Sequence, residues 1–520
     1  MMQAPEGSNY ERFTVLDTDR SSKLDRMREL SALTIPSVLP PEAWTSKDPL
    51  IQPWSSVAGS GVTAMSSRVL SALIPINDMP FFKFEIKTGL EPDIETNEFL
   101  ETLSYQVYNK LITGNLRSTV FNALQQLIIT GDALMVMEDD YSFRCIRQDH
   151  YVLRRDIVGN PVEIIHLDFV ELDDRNPGTD LYGSMAEYSI PGYKTLFTRC
   201  LKDADSESWQ CRTEDIEGNL VTEGTYDVSP YISLRWAQVT GEMYGRSHCE
   251  EISGDIQTLD AYTQAMIEGL AAAGSFWVGI NPNGVTDIED VAGQDNGSFI
   301  SARQEDVFVV SPAQTVQPQL QSISSAVNTM RAEVSKHFLN QSGATRQAER
   351  VTATEVRMQG QELETVLGGA FSAIARELFV PIINRTVYLM LDEGLIDPAI
   401  KDQFSATGLI DTEIITGLQA LSRDNDLQKL MQMGDMVRNL PPEAAQMFKW
   451  DEYGRALITA LGYDPNNWVK SEDDVRTQQQ NDMAQQQAMQ IQGQATQMGA
   501  EAAMGMASQA AGQMLGLEGG

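Results

Sequence analysis

The sequence predicts an α+β fold: a mixed helix–strand body, a long two-helix hairpin that carries a small module, and a helical C-terminal part. Three observations predict it. Residues 57–240 switch repeatedly between helical and strand periodicity. Ile252, Ile256, Leu259, Thr263, Met266, Leu270 and Ala273 follow a heptad seam, and Leu320, Ile323, Val327, Met330, Val334 and Phe338 follow a second. Between the seams, residues 275–317 are rich in Gly, Asn, Asp and Val, which suits a separate small αβ piece.

Taken in order, residues 8–33 read as one charged amphipathic helix that stops at Thr34-Ile35-Pro36. An extended, proline-marked connector covers 41–53, and a second helix runs from Val57 to Leu73, closed by Pro75. Phe81 to Ile86 alternates as a strand. Helices follow over Thr96–Ile112 and Ser118–Thr130, the latter ended by Gly131 before a buried strand, Ala133–Met137. Gly159-Asn160 lies between Tyr151–Asp156 and Val162–Phe169, the pattern of a β-hairpin. Six carboxylates between Asp203 and Glu217 suit a solvated hairpin rim.

The first heptad seam predicts one helix from Ser247 to Gly274, ~42 Å long, and the second a partner helix of ~30 Å. Strands are expected between them at Phe276–Ile280, Ser298–Ile300 and Val307–Val310. After the second seam comes a polar stretch with Arg346 and Arg350. It feeds a helix that opens on the capping box Thr352-Ala353-Thr354-Glu355. Val356, Leu363, Leu367, Phe371, Ile374 and Leu378 give that helix its apolar face; it runs on to Leu391 with a kink at Pro381 and ends at Gly394. Short helices are expected at Thr412–Leu421, Asp426–Val437, Pro442–Phe448 and Tyr453–Leu461. From Arg476 onward the chain carries twelve Gln, nine Ala and six Met with no aromatic residue, the composition of a disordered or partner-dependent tail.

The net charge of −35 argues against a duplex-binding surface spread over the whole molecule. Against that background, Arg331–Arg357 is a basic island, five basic residues to three acidic. Cys145, Cys200, Cys211 and Cys249 form no CxxC pair, so free thiols in a reducing compartment are expected. The opening residues are polar and acidic rather than a secretory signal, and the longest apolar run, near Leu270–Ile280, is too broken to span a bilayer.

Catalytic patterns are weak throughout. Gly59-Ser60-Gly61 superficially fits a dinucleotide loop but follows Pro53-Trp54 rather than a strand. His248-Cys249 lacks companion ligands nearby. Asp139-Asp140 and Asp173-Asp174 are the paired carboxylates a magnesium-dependent nuclease or hydrolase on the N-terminal α+β body would use, although turns favour Asp for backbone reasons. With no Walker loop, ordered Ser/His/Asp set or HExxH, a non-enzyme without cofactor or metal is the better reading.

A set of motifs in one order then points to a family. It begins with Thr34-Ile35-Pro36-Ser37-Val38-Leu39-Pro40, Gln52-Pro53-Trp54 and Ser66-Ser67-Arg68-Val69-Leu70-Ser71-Ala72-Leu73-Ile74-Pro75. Phe121-Asn122-Ala123-Leu124, Tyr151-Val152-Leu153-Arg154-Arg155-Asp156, Pro230-Tyr231-Ile232 and Tyr244-Gly245-Arg246-Ser247 come next. Glu349-Arg350-Val351-Thr352-Ala353, Leu367-Gly368-Gly369, Ile415-Thr416-Gly417-Leu418 and Asp426-Leu427 complete it. The chain resembles the portal, or head-to-tail connector, proteins of short-tailed phages (podoviruses of the autographivirus type). Residues 172–225, 285–300 and those after Asn466 match poorly.

The resemblance implies a phage portal fold assembled as a ring, usually of twelve copies, at one capsid vertex of the virion after assembly in the host cytoplasm. It assigns 1–242 to a wing, 243–275 to a first stem helix, 276–317 to a clip and 318–339 to a second stem helix. Residues 340–352 become a tunnel loop, 353–394 a long kinked wing helix, 395–475 a crown and 476–520 the tail. Double-stranded DNA would pass through the channel during packaging and ejection. Asn340, Gln341, Arg346 and Arg350 are the channel-loop candidates, with ion pairing to Glu349 or Glu355 as the alternative for the arginines. Ile252, Ile256, Leu259, Met266, Leu270, Leu320, Ile323, Val327, Met330 and Val334 are the stem-packing candidates. Implied partners are further copies of the chain, the major capsid protein, the terminase motor, the tail adaptor and nozzle proteins, and internal core or scaffolding proteins; no membrane is involved.

Overall fold

The computed structural model describes residues 7–42, 44, 48–74, 80–86, 94–171, 193–203, 208–274, 277–284, 286, 288–289, 303, 305–310, 313–339, 369–396, 410–414, 430–437, 453–455 and 457–458. By internal contacts the chain divides into two compact units, residues 1–76 with 80–421, and residues 77–79 with 422–520. In the second unit, residues 430–437 are helical, and the Tyr453 hydroxyl donates to the Leu430 carbonyl at 2.9 Å. This lies within the helix expected over Asp426–Val437. Pro442–Phe448 and the tail after Arg476 lie outside the described residues.

The first unit begins with α1 (Asn9–Asp19) and α2 (Ser21–Leu33) where one helix was expected. Arg20 makes the break, with φ −98° and ψ 1°. Its guanidinium turns inward, donates to the Gln148 carbonyl at 2.9 Å and lies over the Tyr151 and Tyr244 rings, so the chain yields its helical geometry to a buried cation. Helix α3 (Val57–Leu73) has the predicted bounds, followed by β1 (Phe82–Ile86), α4 (Ile94–Thr113) and α5 (Leu116–Thr130). Gly131 closes α5 at φ 90°, where a Cβ would meet the Gly245 carbonyl oxygen at 2.7 Å. The strand β2 (Asp132–Met137) is buried along its whole length, because α5 covers one face and the rest of the body the other.

Two antiparallel sheets follow. One has the order β3-β2-β9, with β3 at Phe143–Ile146 and β9 at Tyr231–Arg235. The other is a meander of β4 (Tyr151–Arg155), β5 (Pro161–Glu171), β6 (Tyr193–Lys202), β7 (Trp209–Asp215) and β8 (Leu220–Tyr226). The expected hairpin is β4–β5, pairing Tyr151 with His166 and Arg155 with Pro161. Two expectations about this sheet are corrected. Cys200 and Cys211 lie opposite each other on β6 and β7 and are joined by a disulfide, whereas Cys145 and Cys249 are free thiols. The carboxylate-rich rim is partly interior: Glu214 is buried and accepts from the Asn9 backbone N–H at 2.8 Å, and Asp215 is buried and caps its turn by accepting from Asn219 N–H at 2.8 Å.

The hairpin helices are α6 (His248–Glu251), α7 (Ser253–Gly274) and α8 (Ala313–His337). The first predicted helix is thus interrupted at Ile252, whose side chain is drawn into the core while its backbone leaves helical geometry at φ −111° and ψ 16°. Beyond α7, β10 (Trp277–Ile280) pairs antiparallel with β11 (Val307–Val310); the strand expected at Ser298–Ile300 lies outside the described residues. Helix α9 (Gly369–Asp392) contains Pro381 and is followed by Gly394 at φ 72°. Phe371, Ile374, Leu378, Phe379, Ile382 and Ile383 bury its apolar face in the main core, beside α3, α5, β2 and the base of the α7–α8 hairpin.

The helix expected from Thr412 is instead the strand β12 (Ile410–Ile414), antiparallel to β1. Its Ile–Asp–Thr–Glu–Ile alternation fits the pleat, and pairing with Phe82–Ile86 outweighs helical propensity.

Candidate functional site

The site candidates fall on the hairpin of α7 and α8 and on the segment that follows it. The helices run antiparallel. At the root, the His248 imidazole donates from Nε2 to the His337 carbonyl at 3.1 Å. Toward the far end, a Cβ on Gly269 would lie 2.8 Å from the Leu320 side chain, so the helices approach closely where that glycine stands.

Burial declines along the seam. Ile252, Ile256, Leu259, Val327 and Val334 are buried in the main core, and Met266, Ile323 and Met330 pack against it half-buried. Leu320 is half-buried, while Leu270 is 54% exposed and lies off the intramolecular seam. Within one chain, this seam position is therefore not covered by the partner helix. Three- and four-residue steps drift around an undistorted helix, and Gly269 takes the inward place.

The root is anchored where the last residue of the second seam, Phe338, meets α3, through two residues outside both seams, Gly61 and Arg68. Phe338 is fully buried, and a Cβ on Gly61 of α3 would stand 2.6 Å from its ring. Leu339 takes φ 57°, and its carbonyl accepts from the Arg68 guanidinium of α3. His248 lies between the Trp236 and Phe338 rings, 5.5 Å from each, and burial depresses its pKa, so the neutral imidazole donates to the carbonyl. Lys336 and His337 stand in the last turn of α8, with His337 3.7 Å from Asp255. The glycines of Gly59-Ser60-Gly61 therefore serve helix packing, Gly59 against the Thr34 carbonyl and Gly61 against Phe338, and not a dinucleotide loop. A glycine pair inside an apolar helix was the available signal.

The chain leaves this anchor at Leu339, and Asn340, Gln341, Arg346, Arg350 and the Thr352 capping box lie outside the described residues. It returns in α9, which Glu377 and Arg385 fasten to the body. Glu377 accepts from the Arg235 backbone N–H at 2.9 Å and from its guanidinium at 2.6 Å. Arg385 is 1% exposed, donates to Asp139 at 2.6 Å and lies over the Tyr226 and Tyr388 rings.

That last pair bears on the paired carboxylates. Asp139 engages Arg385, and Asp140 accepts from the Ser142 backbone N–H at 2.9 Å in the turn where Tyr141 has φ 65°. These are turn and ion-pair roles; Asp173 and Asp174 lie outside the described residues. His248 faces the hairpin root while Cys249 is buried in the apolar core, which raises its thiol pKa well above the ordinary range. Among the described residues no group of three or more His, Cys, Asp or Glu gathers as a metal site, and no helix is long and apolar enough to cross a membrane.

Beneath the root lies a buried charge cluster. Asp132 of β2 accepts from Gly245 N–H at 2.8 Å, and Lys23 of α2 donates to the Gly245 carbonyl at 2.6 Å. Desolvation pushes the Asp132 carboxyl up to about 7, against the opposing pull of Arg155, Lys23 and Arg235.

Known proteins share this chain's sequence over most of its length. The portal protein of Escherichia phage T7 is 29% identical, covering 97% of this chain and 94% of its own. The portal protein of Enterobacteria phage T3 is 28% identical over 81% and 80%. Among solved structures, a chain from the virion of a native gene transfer agent particle aligns at 10% identity with a TM-score of 0.41, covering 85% of this chain and 94% of that one. The family described as bacteriophage head to tail connecting protein matches residues 8–468, and the chain belongs to that family, whose podophage members are portal proteins.

Proposed function

We propose that the chain forms a ring of twelve copies at one capsid vertex and acts as the conduit for double-stranded DNA during packaging and ejection. The packaging motor docks on it first and the tail adaptor and nozzle later; the major capsid protein and internal core or scaffolding proteins are its partners inside the head. The ring is a virion component assembled in the host cytoplasm, and its role is structural rather than enzymatic.

The observation that carries this reading is the burial gradient of the α7–α8 hairpin. Its root is completed by the chain's own body, while its far half leaves Leu270 and Ile267 exposed on α7. A ring supplies the missing cover through heterologous contacts that close by rotation. The charge of −35 per copy suits a passage that must not hold DNA, since every lysine or arginine paired with a phosphate adds a salt-dependent increment of affinity. Arg346 and Arg350 then make a weak contact repeated around the ring, or pair with neighbouring glutamates. Negative-stain images of the purified chain test the reading: cone-shaped rings with a central hole are expected, and isolated single subunits at every concentration would overturn it.

A further inference from the structure

The β4–β8 meander has two edges, and the chain treats them differently. At β4 the outward backbone N–H groups are taken up by side chains of the same chain. Leu153 N–H donates to the Tyr244 hydroxyl at 3.1 Å, and Arg155 N–H to the Met243 sulfur at 3.4 Å. The other edge is β8, and among the described residues no strand pairs with its outer side. An exposed row of unpaired N–H and C=O groups is a template for another strand.

The phase of the ladder shows which groups are open. Asp203 N–H donates to the Ser208 carbonyl at 2.9 Å across β6–β7, and Asp215 N–H to the Asn219 carbonyl at 3.1 Å across β7–β8. Along an antiparallel pair the hydrogen-bonding direction alternates from residue to residue. Both bonds therefore turn the backbone of Trp209, Cys211 and Thr213 toward β8, where they face Tyr226, Gly224 and Thr222. Glu223 and Thr225 then direct their N–H and C=O groups outward, and their side chains are exposed. The frame beneath them is firm. A disulfide between Cys200 and Cys211 joins β6 to β7, and the Tyr226 ring at the end of β8 lies against the buried Arg385 guanidinium. Little ordering remains to be paid when a strand arrives.

Side chains restrict the occupant. Arg212 stands opposite Glu223 but is engaged by Glu214 at 2.8 Å, so two carboxylates share one guanidinium at this edge. Antiparallel pairing of two β8 strands over their full length would set Glu223 against Glu223, and like charges directly opposite are destabilising. An extended segment with a lysine or arginine at that position instead continues the alternation of sign across the sheet. Exposed Leu220 and Val221 at the start of β8 offer it apolar contact.

We infer that β8 is a docking edge for an extended segment of a partner protein, which adds as a further strand on the backbone of Glu223 and Thr225 and sets a lysine or arginine opposite Glu223. Main-chain hydrogen bonds supply the attachment and the charge pair supplies the register. The surface lies away from the α7–α8 hairpin and does not depend on the ring reading.

The test uses the full chain and labelled peptides followed by fluorescence anisotropy. TVTKTVT should bind. TPTKTPT keeps the charge but lacks two donors of the added strand, and its binding should be lost. TVTETVT should bind about fivefold more weakly, and Glu223→Lys should reverse the preference between the lysine and glutamate peptides. Thr225→Pro removes an outward N–H and leaves the β7 ladder intact, so it should stay folded and lose the peptide. Residue-resolved hydrogen exchange should show the Glu223 and Thr225 amides fast in the free chain and slowed by TVTKTVT. Absence of binding, equal binding of TPTKTPT, or an unchanged preference in Glu223→Lys would overturn the inference. Amides already slow in the free chain would overturn it too, and slowing that follows self-assembly alone would give the edge to a second copy instead.

Discussion

The two ends of the α7–α8 hairpin obey different rules. At the root, Ile256, Leu259, Val334 and Phe338 are buried by the chain's own α3 and core, and the Leu339 carbonyl is taken by Arg68. At the far end, Leu270 faces solvent and Leu320 is half-covered. The same heptad pattern thus meets two environments: inside the body it is core packing, and beyond the body it is exposed surface. The difference teaches that a heptad spacing marks candidates for burial, while how far along the helix they are buried depends on where the chain's own body ends.

Breaking the root should have the largest effect. Phe338→Ala removes a fully buried ring and leaves a cavity beside Gly61, an expected loss of about 3–5 kcal/mol of folding stability in urea unfolding. A loss below about 1 kcal/mol would mean the root is not part of the folded core. Glu377→Ala should cost nearly as much, about 3 kcal/mol, because Arg235 stays buried after losing its carboxylate; the same unfolding experiment reads it.

A pH series sharpens the account of the body. The folded pKa of Asp132 is raised to about 7 from an ordinary value of 3.8. Its contribution is therefore fully present below about pH 4 and is lost as pH rises through about 7, because the unfolded chain ionises first. Asp132→Asn should flatten the stability profile between those limits, as melting temperatures in a buffer series would reveal; an unchanged slope would assign the pH dependence to another group.

The far end gives the contrasting result. Leu270→Asp should leave the unfolding midpoint within about 0.5 kcal/mol of the parent while weakening assembly, since the side chain is already exposed. The smallest effect on the isolated protein is expected from Arg346→Ala with Arg350→Ala. Rings should form normally, with the deficit appearing in packaging or genome retention; rings that fail to form would give these arginines a bracing role between subunits.

Much of this was legible in the sequence, for physical reasons that can be named. Val57–Leu73 was exact because an apolar face ends at Ile74-Pro75, and the β4–β5 hairpin was announced by Gly159-Asn160. The breaks at Arg20 and Ile252 were hidden, because each follows from one side chain being drawn into a distant part of the core. Strand β12 was missed since its partner β1 is more than three hundred residues earlier, and five residues carry little local signal. The Cys200–Cys211 pairing depended on the β6–β7 register, which residue spacing alone does not give. At the site, the seam residues, Phe338 among them, were readable from periodicity, whereas the meeting of Phe338 with Gly61 and of the Leu339 carbonyl with Arg68 joins positions far apart in sequence that periodicity does not link.

The central claim is that the hairpin's far half is completed by neighbouring copies. Light scattering on the purified full chain beside its Leu270→Asp variant tests it most directly. The account predicts a parent particle many times the subunit mass of 57.6 kDa, and a variant that is folded but shifted toward the single-subunit mass. A parent that remains at 57.6 kDa across concentrations, or a variant that assembles as well as the parent, would contradict it.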